Sequence, residues 1–381
     1  MTLVVAAIPL LIWIYLIFGR GWFWRPAKYL TPAPLPRVAG KRIAIVMPAR
    51  DEAAVIGQAI TSLMLQDYSG PVHIFVVDDA STDGTADLAR HTADRVGKSE
   101  LLTVIGSQPL PVGWTGKLWA LSQGIAAAER WRPDYLLLTD ADIHHGPCTV
   151  AELAAIAESE NSDLVSFMIT LSSRTNAEKA LLPAFVFFFL LLYPPGWVRS
   201  RHYRTAGAAG GCILTRREAL EGIGGLSEIR NEVIDDCALA RSVKSRGGRL
   251  WIGLTRTSES IRPYGSVWEI ARMISRTAFN QLQHSLLQLI LAIAAVLATF
   301  VMPVALLFSR ERSVVAVGAA AILLMICGYA PILRFYGRSM LWCLALPLIA
   351  IFYAGVTIYS AFAYWTGRGG YWKGRIQDVH A

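Results

Sequence analysis

A chain of 381 residues that is 54% hydrophobic and only 17% charged is too apolar for an ordinary soluble protein and points to a membrane class. Its formal charge of +8 does not point to nucleic acid, because the clearest basic cluster, Arg20, Arg25, Lys28, Arg37, Lys41 and Arg42, directly follows an apolar helix. The positive-inside rule and anionic headgroups explain that cluster better. The five cysteines, Cys148, Cys212, Cys237, Cys327 and Cys343, show no Cys-x-x-Cys spacing, which argues against a disulfide framework or a zinc site and for a reducing compartment.

In chain order, positions 2–18 form the first apolar run, and 287–308, 314–333 and 341–363 are the others near the ~20 residues a helix needs to cross a bilayer. The first lacks a basic start and a small-residue cleavage site, so 1–19 reads as an uncleaved anchor, amino terminus outside and Arg20 inside. Residues 20–40 form a basic, proline-rich linker containing the extended spacer TPAPLP.

The mixed-polarity middle, 41–275, is long enough for one α/β domain. RIAIVMP (42–48) reads as a buried first strand, followed by Ala49-Arg50-Asp51-Glu52 and a helix over 53–65. A second strand over 72–77 breaks at Asp78-Asp79-Ala80-Ser81-Thr82-Asp83, where Ser81, Thr82 or Asp83 can cap a helix over 85–93. After a short strand at 102–105, Gly113-Trp114-Thr115-Gly116-Lys117 opens a helix through Ala127. The apolar run Tyr135-Leu136-Leu137-Leu138 then stops at Thr139-Asp140-Ala141-Asp142. Strand and helix alternate as in a doubly wound sheet, which places Asp140 and Asp142 at a carboxyl edge, where such sheets bind ligands. Paired carboxylates there suit a hard divalent cation; the alternative is a loop in which one aspartate caps and the other is solvated.

Four of these stretches, PARDEA (48–53), VDDASTDGT (77–85), GWTGKLWALSQGI (113–125) and TDAD (139–142), in this order, resemble the nucleotide-sugar half of family 2 inverting glycosyltransferases of GT-A fold. With a single amino-terminal anchor, GGLSEIRNEVIDDCALA (224–240) and WKGR (372–375), the layout is most similar to the membrane glycosyltransferases associated with hopene and hopanoid biosynthesis. It is also similar to those that glycosylate carotenoid acids. The resemblance implies an α/β, Rossmann-like GT-A domain for nucleotide-diphospho-sugar transfer, with transmembrane helices at both ends.

It further implies roles. Pro48, Ala49, Arg50 and Glu52 would hold base and ribose, and Asp79, with Asp78 beside it, would accept from the base imide. A carboxylate only accepts, so it prefers a donor-bearing edge; Asp78 and Asp83 can equally be turn and capping residues. Lys117, behind two glycines at a helix start, would lie near the diphosphate or the donor sugar, unless it is an exposed lysine. Asp142 and Asp140 would hold Mg²⁺ or Mn²⁺ on the diphosphate, with Asp140 also touching the donor. Asp235-Asp236 opens a helix over 237–245 and aligns with the family's Glu-Asp pair, whose second member is the general base; Asp236 is that candidate, and Asp235 departs from the family's glutamate.

The apolar stretch 181–193, closed by Pro194-Pro195-Gly196, is too short to span; it reads as a surface helix lining the acceptor's route or as a core helix. Arg272 and Arg276, at 268–280 where relatives carry Gln-x-x-Arg-Trp, can reach the leaving diphosphate or be ordinary membrane-surface arginines. Without that tryptophan, single transfer to a lipid fits better than a processive polysaccharide synthase.

Residues 276–365 hold an interfacial helix and about three spans, one of them re-entrant if the basic tail 366–381, with Arg368, Lys373 and Arg375, stays inside. The expectation is a multi-pass protein of the bacterial inner membrane with its catalytic domain in the cytoplasm. It would transfer one sugar, with inversion, from a nucleotide-diphosphate donor, a UDP-sugar by resemblance, to a membrane lipid hydroxyl or carboxylate, with a hopanoid or other polyisoprenoid acceptor implied by the resemblance alone. The rivals are a polyprenyl-phosphate or ceramide-type glycosyltransferase and, from another class, a nucleotide-binding membrane scaffold without turnover. A transporter is disfavoured because the spans lack midplane charged pairs.

Overall fold

Apolar and small residues in an unbroken run, IAIVMPA, form β1 (Ile43–Ala49), and all of them are buried, as in a strand covered on both faces. The computed structural model describes residues 3–26, 30, 40–369, 371–372 and 375–376. The spacer TPAPLP and the basic residues Lys28, Arg37 and Lys373 lie outside the described residues.

The strands β2 (Val72–Asp78) and β4 (Tyr135–Thr139) flank β1 in parallel, and β3 (Leu102–Gly106) adds to β2. The crossovers run through α2 (Ile56–Met64), α3 (Thr85–Val96) and α4 (Gly116–Glu129). This is the doubly wound half that the alternation predicts. The first crossover helix begins at Ile56 rather than 53, after a turn in which the Val55 and Ile56 N–H groups both donate to Glu52 O and the Ala53 N–H donates to the Asp83 carboxylate. Helix α4 lies close on the sheet through Gly124, where a Cβ would stand 2.4 Å from Val46 Cγ1.

Beyond β4 the sheet becomes mixed, and here the sequence reading assigns no strands. The chain continues through β5 (Ile143–His144), α5 (Thr149–Ser159), β6 (Leu164–Thr170), α6 (Asn176–Leu192) and α7 (Pro195–Arg199). It then forms β7 (Cys212–Arg216), α8 (Arg217–Gly222), α9 (Asp235–Ser245) and β8 (Leu250–Ser260). The resulting sheet has strand order β3-β2-β1-β4-β7-β6-β8-β5. Antiparallel pairing of β7 with β4 sets Cys212 opposite Thr139, so Gly210 and Gly211, entering β7, lie beside Asp140 at the end of β4.

The apolar runs become α1 (Leu3–Ile14, continued by a π turn to Gly19), α10 (Val267–Ala278, just before them), α11 (Leu286–Val296), α12 (Met302–Leu306), α13 (Arg312–Phe335) and α14 (Leu346–Trp365). A π turn at 297–301 joins α11 to α12, and there the Thr299 carbonyl accepts from the buried Trp13 indole at 2.8 Å. Left unpaired, such a buried donor would cost about 1–3 kcal/mol. Leu287, Leu291, Leu348 and Phe362 point outward, each more than half exposed, the apolar exterior that a bilayer would cover.

Helix α6 corrects one expectation. Thr175 and Glu178 form a reciprocal capping box, so the helix starts at Asn176 rather than at the apolar run alone. With α7 it makes a 24-residue helical stretch, one of four among the described residues long and apolar enough to cross a membrane by length and composition. Leu182, Phe187 and Leu190 of α6 are buried in one cluster with Trp13, Tyr329 and Ile332, the packing of a core helix rather than a surface one.

Candidate active site

The first two strand ends are tied together by charge and backbone. The Asp79 N–H donates to Ala49 O (2.8 Å), and Arg50 Nη1 reaches back to Asp79 O (2.5 Å) and to its Oδ2 (3.5 Å). Asp79 is 2% exposed. Asp83 behaves as the turn residue anticipated, accepting from the Thr85 and Ala53 N–H groups. Asp78 differs from its neighbours: its Oδ1 is buried with no hydrogen-bond partner among the described residues. A buried acceptor without a donor is costly, and a ligand N–H would satisfy it.

At the end of β4 the two aspartates diverge. Asp142 Oδ2 accepts from Arg262 Nε (2.8 Å), and the same guanidinium grips both Glu52 oxygens through Nη2 (2.6 Å each). Arg262 is held in place by its own segment: the Ile261 N–H donates to Asp142 O, and the Tyr264 N–H donates to the buried Glu178. Burial would lower the Arg262 pKa, but Asp142 and then Glu52 outweigh it and raise it.

Asp140 turns the other way, to Lys117 Nζ at 2.9 Å, and Lys117 also meets Asp235 at 3.2 Å. Burial works against the Lys117 ammonium, yet Asp140 and then Asp235 hold its pKa above the ordinary lysine range. Asp236 is the next residue on α9. Its Oδ2 accepts from the Gly210 N–H and its Oδ1 from the Cys237 N–H, both at 2.7 Å. Those bonds and Lys117 favour the anion, but burial first and Asp235 second prevail and push Asp236 up to about 6. A Cβ on Gly210 would stand 3.2 Å from Asp236 Oδ2, so the glycine allows the approach.

One cleft is therefore lined by Pro48, Lys117, Thr139, Asp140, Asp235 and Asp236. Arg272 and Arg276 do not line it; both are exposed on α10. Among the described residues, no group of three or more His, Cys, Asp or Glu side chains is gathered as a metal site. Asp140 and Asp142 present the carboxylate oxygens that a hard cation takes, and diphosphate oxygens complete such shells, but here the two side chains turn apart to Lys117 and Arg262.

Three residues that the sequence reading passes over serve the site. Arg262 gives no local signal beyond a lone arginine after a strand. Glu178 was legible, since Thr175-x-x-Glu178 is a capping-box pattern. His145 is 1% exposed, pairs through Nε2 with Thr139 Oγ1 (2.8 Å), and is held neutral, its pKa pushed down to about 3 by burial and then by His144. It braces the turn that carries both aspartates.

Residues 44–224 match the sequence family described as Glycosyl transferase family 2. An N-acetylglucosaminyltransferase of Rhizobium leguminosarum bv. viciae is 29% identical over 130 residues, 34% of this chain and 27% of that protein. An uncharacterised protein of Methanocaldococcus jannaschii is 29% identical over 122 residues, 32% of this chain and 44% of that protein. This chain thus spans less than half the length of either curated relative. Among solved structures, the mannosyltransferase PcManGT from Pyrobaculum calidifontis, in complex with GDP-Man and Mn²⁺, superposes with a TM-score of 0.54 at 18% identity. The match covers 96% of this chain and 99% of that one. The fold is GT-A: a Rossmann-like sheet carrying the family 2 match, with long apolar helices toward the carboxyl end and a shorter one at the amino end.

Proposed function

We propose that this chain is a membrane glycosyltransferase that moves one sugar, with inversion, from a nucleotide-diphosphate sugar to the hydroxyl of a membrane lipid. The observation that carries the reading is the shared cleft. A desolvated carboxylate, Asp236, faces the same space as Asp140 and Lys117, so a proton acceptor and a donor-holding group flank one reacting position.

In this reading Pro48, Ala49, Arg50 and Glu52 border the nucleoside, and Asp78 and Asp79 accept from the base. Asp140 and Asp142 hold Mg²⁺ or Mn²⁺, which when bound neutralises charge on the leaving diphosphate. Arg262 is a better candidate for the leaving-group contact than Arg272 or Arg276, because its guanidinium sits against Asp142 while theirs are exposed. Asp236 takes the acceptor hydroxyl's proton, the acceptor oxygen bonds to the anomeric carbon, and the bond from that carbon to the diphosphate breaks on the opposite face. Asp235 orients Lys117 rather than touching the acceptor. The apolar helices support a membrane location and through it a lipid acceptor; the cytoplasmic side rests on the basic residues after the first helix, and the bacterial inner membrane and a hopanoid acceptor rest on the sequence resemblance alone.

The test is to incubate the purified full chain, with and without membrane lipid extract, with a panel of labelled nucleotide sugars and to identify the labelled lipid. Divalent-dependent release of nucleoside diphosphate and label in a lipid are expected, and both are lost in Asp142→Ala. A scaffold would bind nucleotide, show no release in any condition, and lose only affinity in that variant.

A further inference from the structure

The C-terminal end of α6 is where the apolar bundle meets the catalytic cleft. Phe189 packs against both the bundle cluster and the cluster beneath α4 and α9, and Tyr193, 5.1 Å from it between ring centroids, continues the contact. The Tyr193 ring covers Gly207 so closely that a Cβ there would lie 2.7 Å from Cδ1. The strand of chain from Gly207 is the one that holds the proposed base: Ala208 O accepts from the Cys237 thiol, and the Gly210 N–H donates to Asp236. The Tyr193 hydroxyl also reaches the Cys237 thiol, next to Asp236 in sequence. Its partner on the bundle side is Gln281, whose Oε1 accepts from the Tyr193 hydroxyl at 2.7 Å.

Gln281 sits in a one-turn 3₁₀ segment, Asn280–Leu282, between α10 and α11. The two residues after it, Gln283 and His284, both have positive φ, +51° and +55°. Consecutive left-handed non-glycine residues store strain, and strained connections cluster where a segment must move.

Resting on Asp236 as the base, we propose that the acceptor hydroxyl arrives from the bilayer side, through the seam between the end of α6 and the 280–284 turn, and that the Tyr193–Gln281 hydrogen bond latches this route shut. The acceptor is then an amphiphilic alcohol whose hydroxyl lies at the membrane surface while its apolar body stays among the helices. A closed latch keeps water from Asp236 until such a molecule displaces it, which favours transfer over hydrolysis of the donor.

Cys237 reports on the latch without requiring turnover. With Cys148→Ser and Cys327→Ser as background, the full chain in phosphatidylethanolamine–phosphatidylglycerol vesicles is treated with N-cyclohexylmaleimide or with a sulfonated maleimide. Cys212, buried in β7, serves as the internal control. Tyr193→Phe and Gln281→Leu should each speed alkylation of Cys237 by the apolar reagent about five-fold, the factor carried by one ordinary hydrogen bond, and leave Cys212 unchanged. In Tyr193→Phe, losing the hydroxyl takes a hydrogen bond from the thiolate and by itself slows alkylation, so acceleration in that variant comes from access and is the deciding measurement. An unchanged Cys237 rate, a parallel rise at Cys212, or equal acceleration by the sulfonated reagent would each overturn the bilayer-side latch.

In the same variants, release of nucleoside diphosphate from labelled nucleotide sugars without acceptor should rise relative to transfer onto dodecanol, while the donor KM holds. An unchanged ratio overturns the latch and leaves the proposed function standing. No release by the wild type from any donor overturns the function itself, whatever the labelling shows.

Discussion

The acids at the strand ends and the acid on α9 are treated in opposite ways. After β1 and β4, Glu52, Asp142 and Asp140 are each matched to a cation, Arg262 or Lys117, and of the three Asp140 lines the cleft. On α9, Asp236 is half-buried beside another acid, held by two backbone N–H groups, and raised to about 6. Carboxylates paired with cations suit holding a charged donor. A carboxylate that burial makes reluctant to ionise takes up a proton readily, and that suits a base.

The largest expected effect breaks the contrast at its centre. Asp236→Asn should lower sugar transfer by about 10² to 10⁴, the usual worth of a general base, with donor affinity kept. Transfer at the wild-type rate would remove Asp236 from the reaction. The stability of the same pair reports the desolvation independently. A folded-state pKa raised from 3.8 to about 6 means the native state binds more protons across that window. Wild-type stability relative to the variant should therefore be highest below pH 3.8 and should fall as pH rises through about 6. A flat difference between the two melting profiles would show that Asp236 is not desolvated.

Arg262→Ala attacks the paired side. It leaves Asp142 and Glu52 facing each other without their shared cation, and transfer should fall by about 10- to 100-fold, below the roughly 10² to 10³ of a fully enclosed donor because the arginine is partly exposed. Arg262→Lys keeps the charge but cannot fork across both acids, so it should recover only part of the loss. Equal rates in all three proteins would leave the fork a structural tie.

The smallest effect joins the two sides. Wild-type kcat/KM should rise with pH through about 6 as Asp236 deprotonates. Because Lys117 holds that value down, Lys117→Met should move the acid limb upward by about one unit. A limb that stays near 6 would mean that Lys117 and Asp236 do not sense each other.

Much of this could be read in advance wherever a local pattern carries the information. Apolar runs bounded by turn residues mark β1, β2, β3 and β4, and ~20-residue stretches mark the later spans, since burial on both faces or in lipid leaves a continuous signature. Strands β6 and β7 carry the same buried run behind turn residues and were legible in principle, while the two residues of β5 and the Thr/Ser-rich second half of β8 were not. The order in which these strands pair depends on remote partners. Helix α6 was misjudged in length because its start depends on a cap, not on hydrophobicity.

The sequence alone determined which residues are acidic at strand and helix ends, and in what order, because those ends follow from short-range patterning. It could not say which acid meets which cation. Arg262 lies 120 residues from Asp142 and 210 from Glu52, and Lys117 reaches both β4 and α9 only because α4 packs tightly on the sheet through Gly124. Those pairings, and the burial that separates Asp236 from its neighbours, come from sheet register and helix packing. Both are set by contacts between distant segments, so no local window contains them.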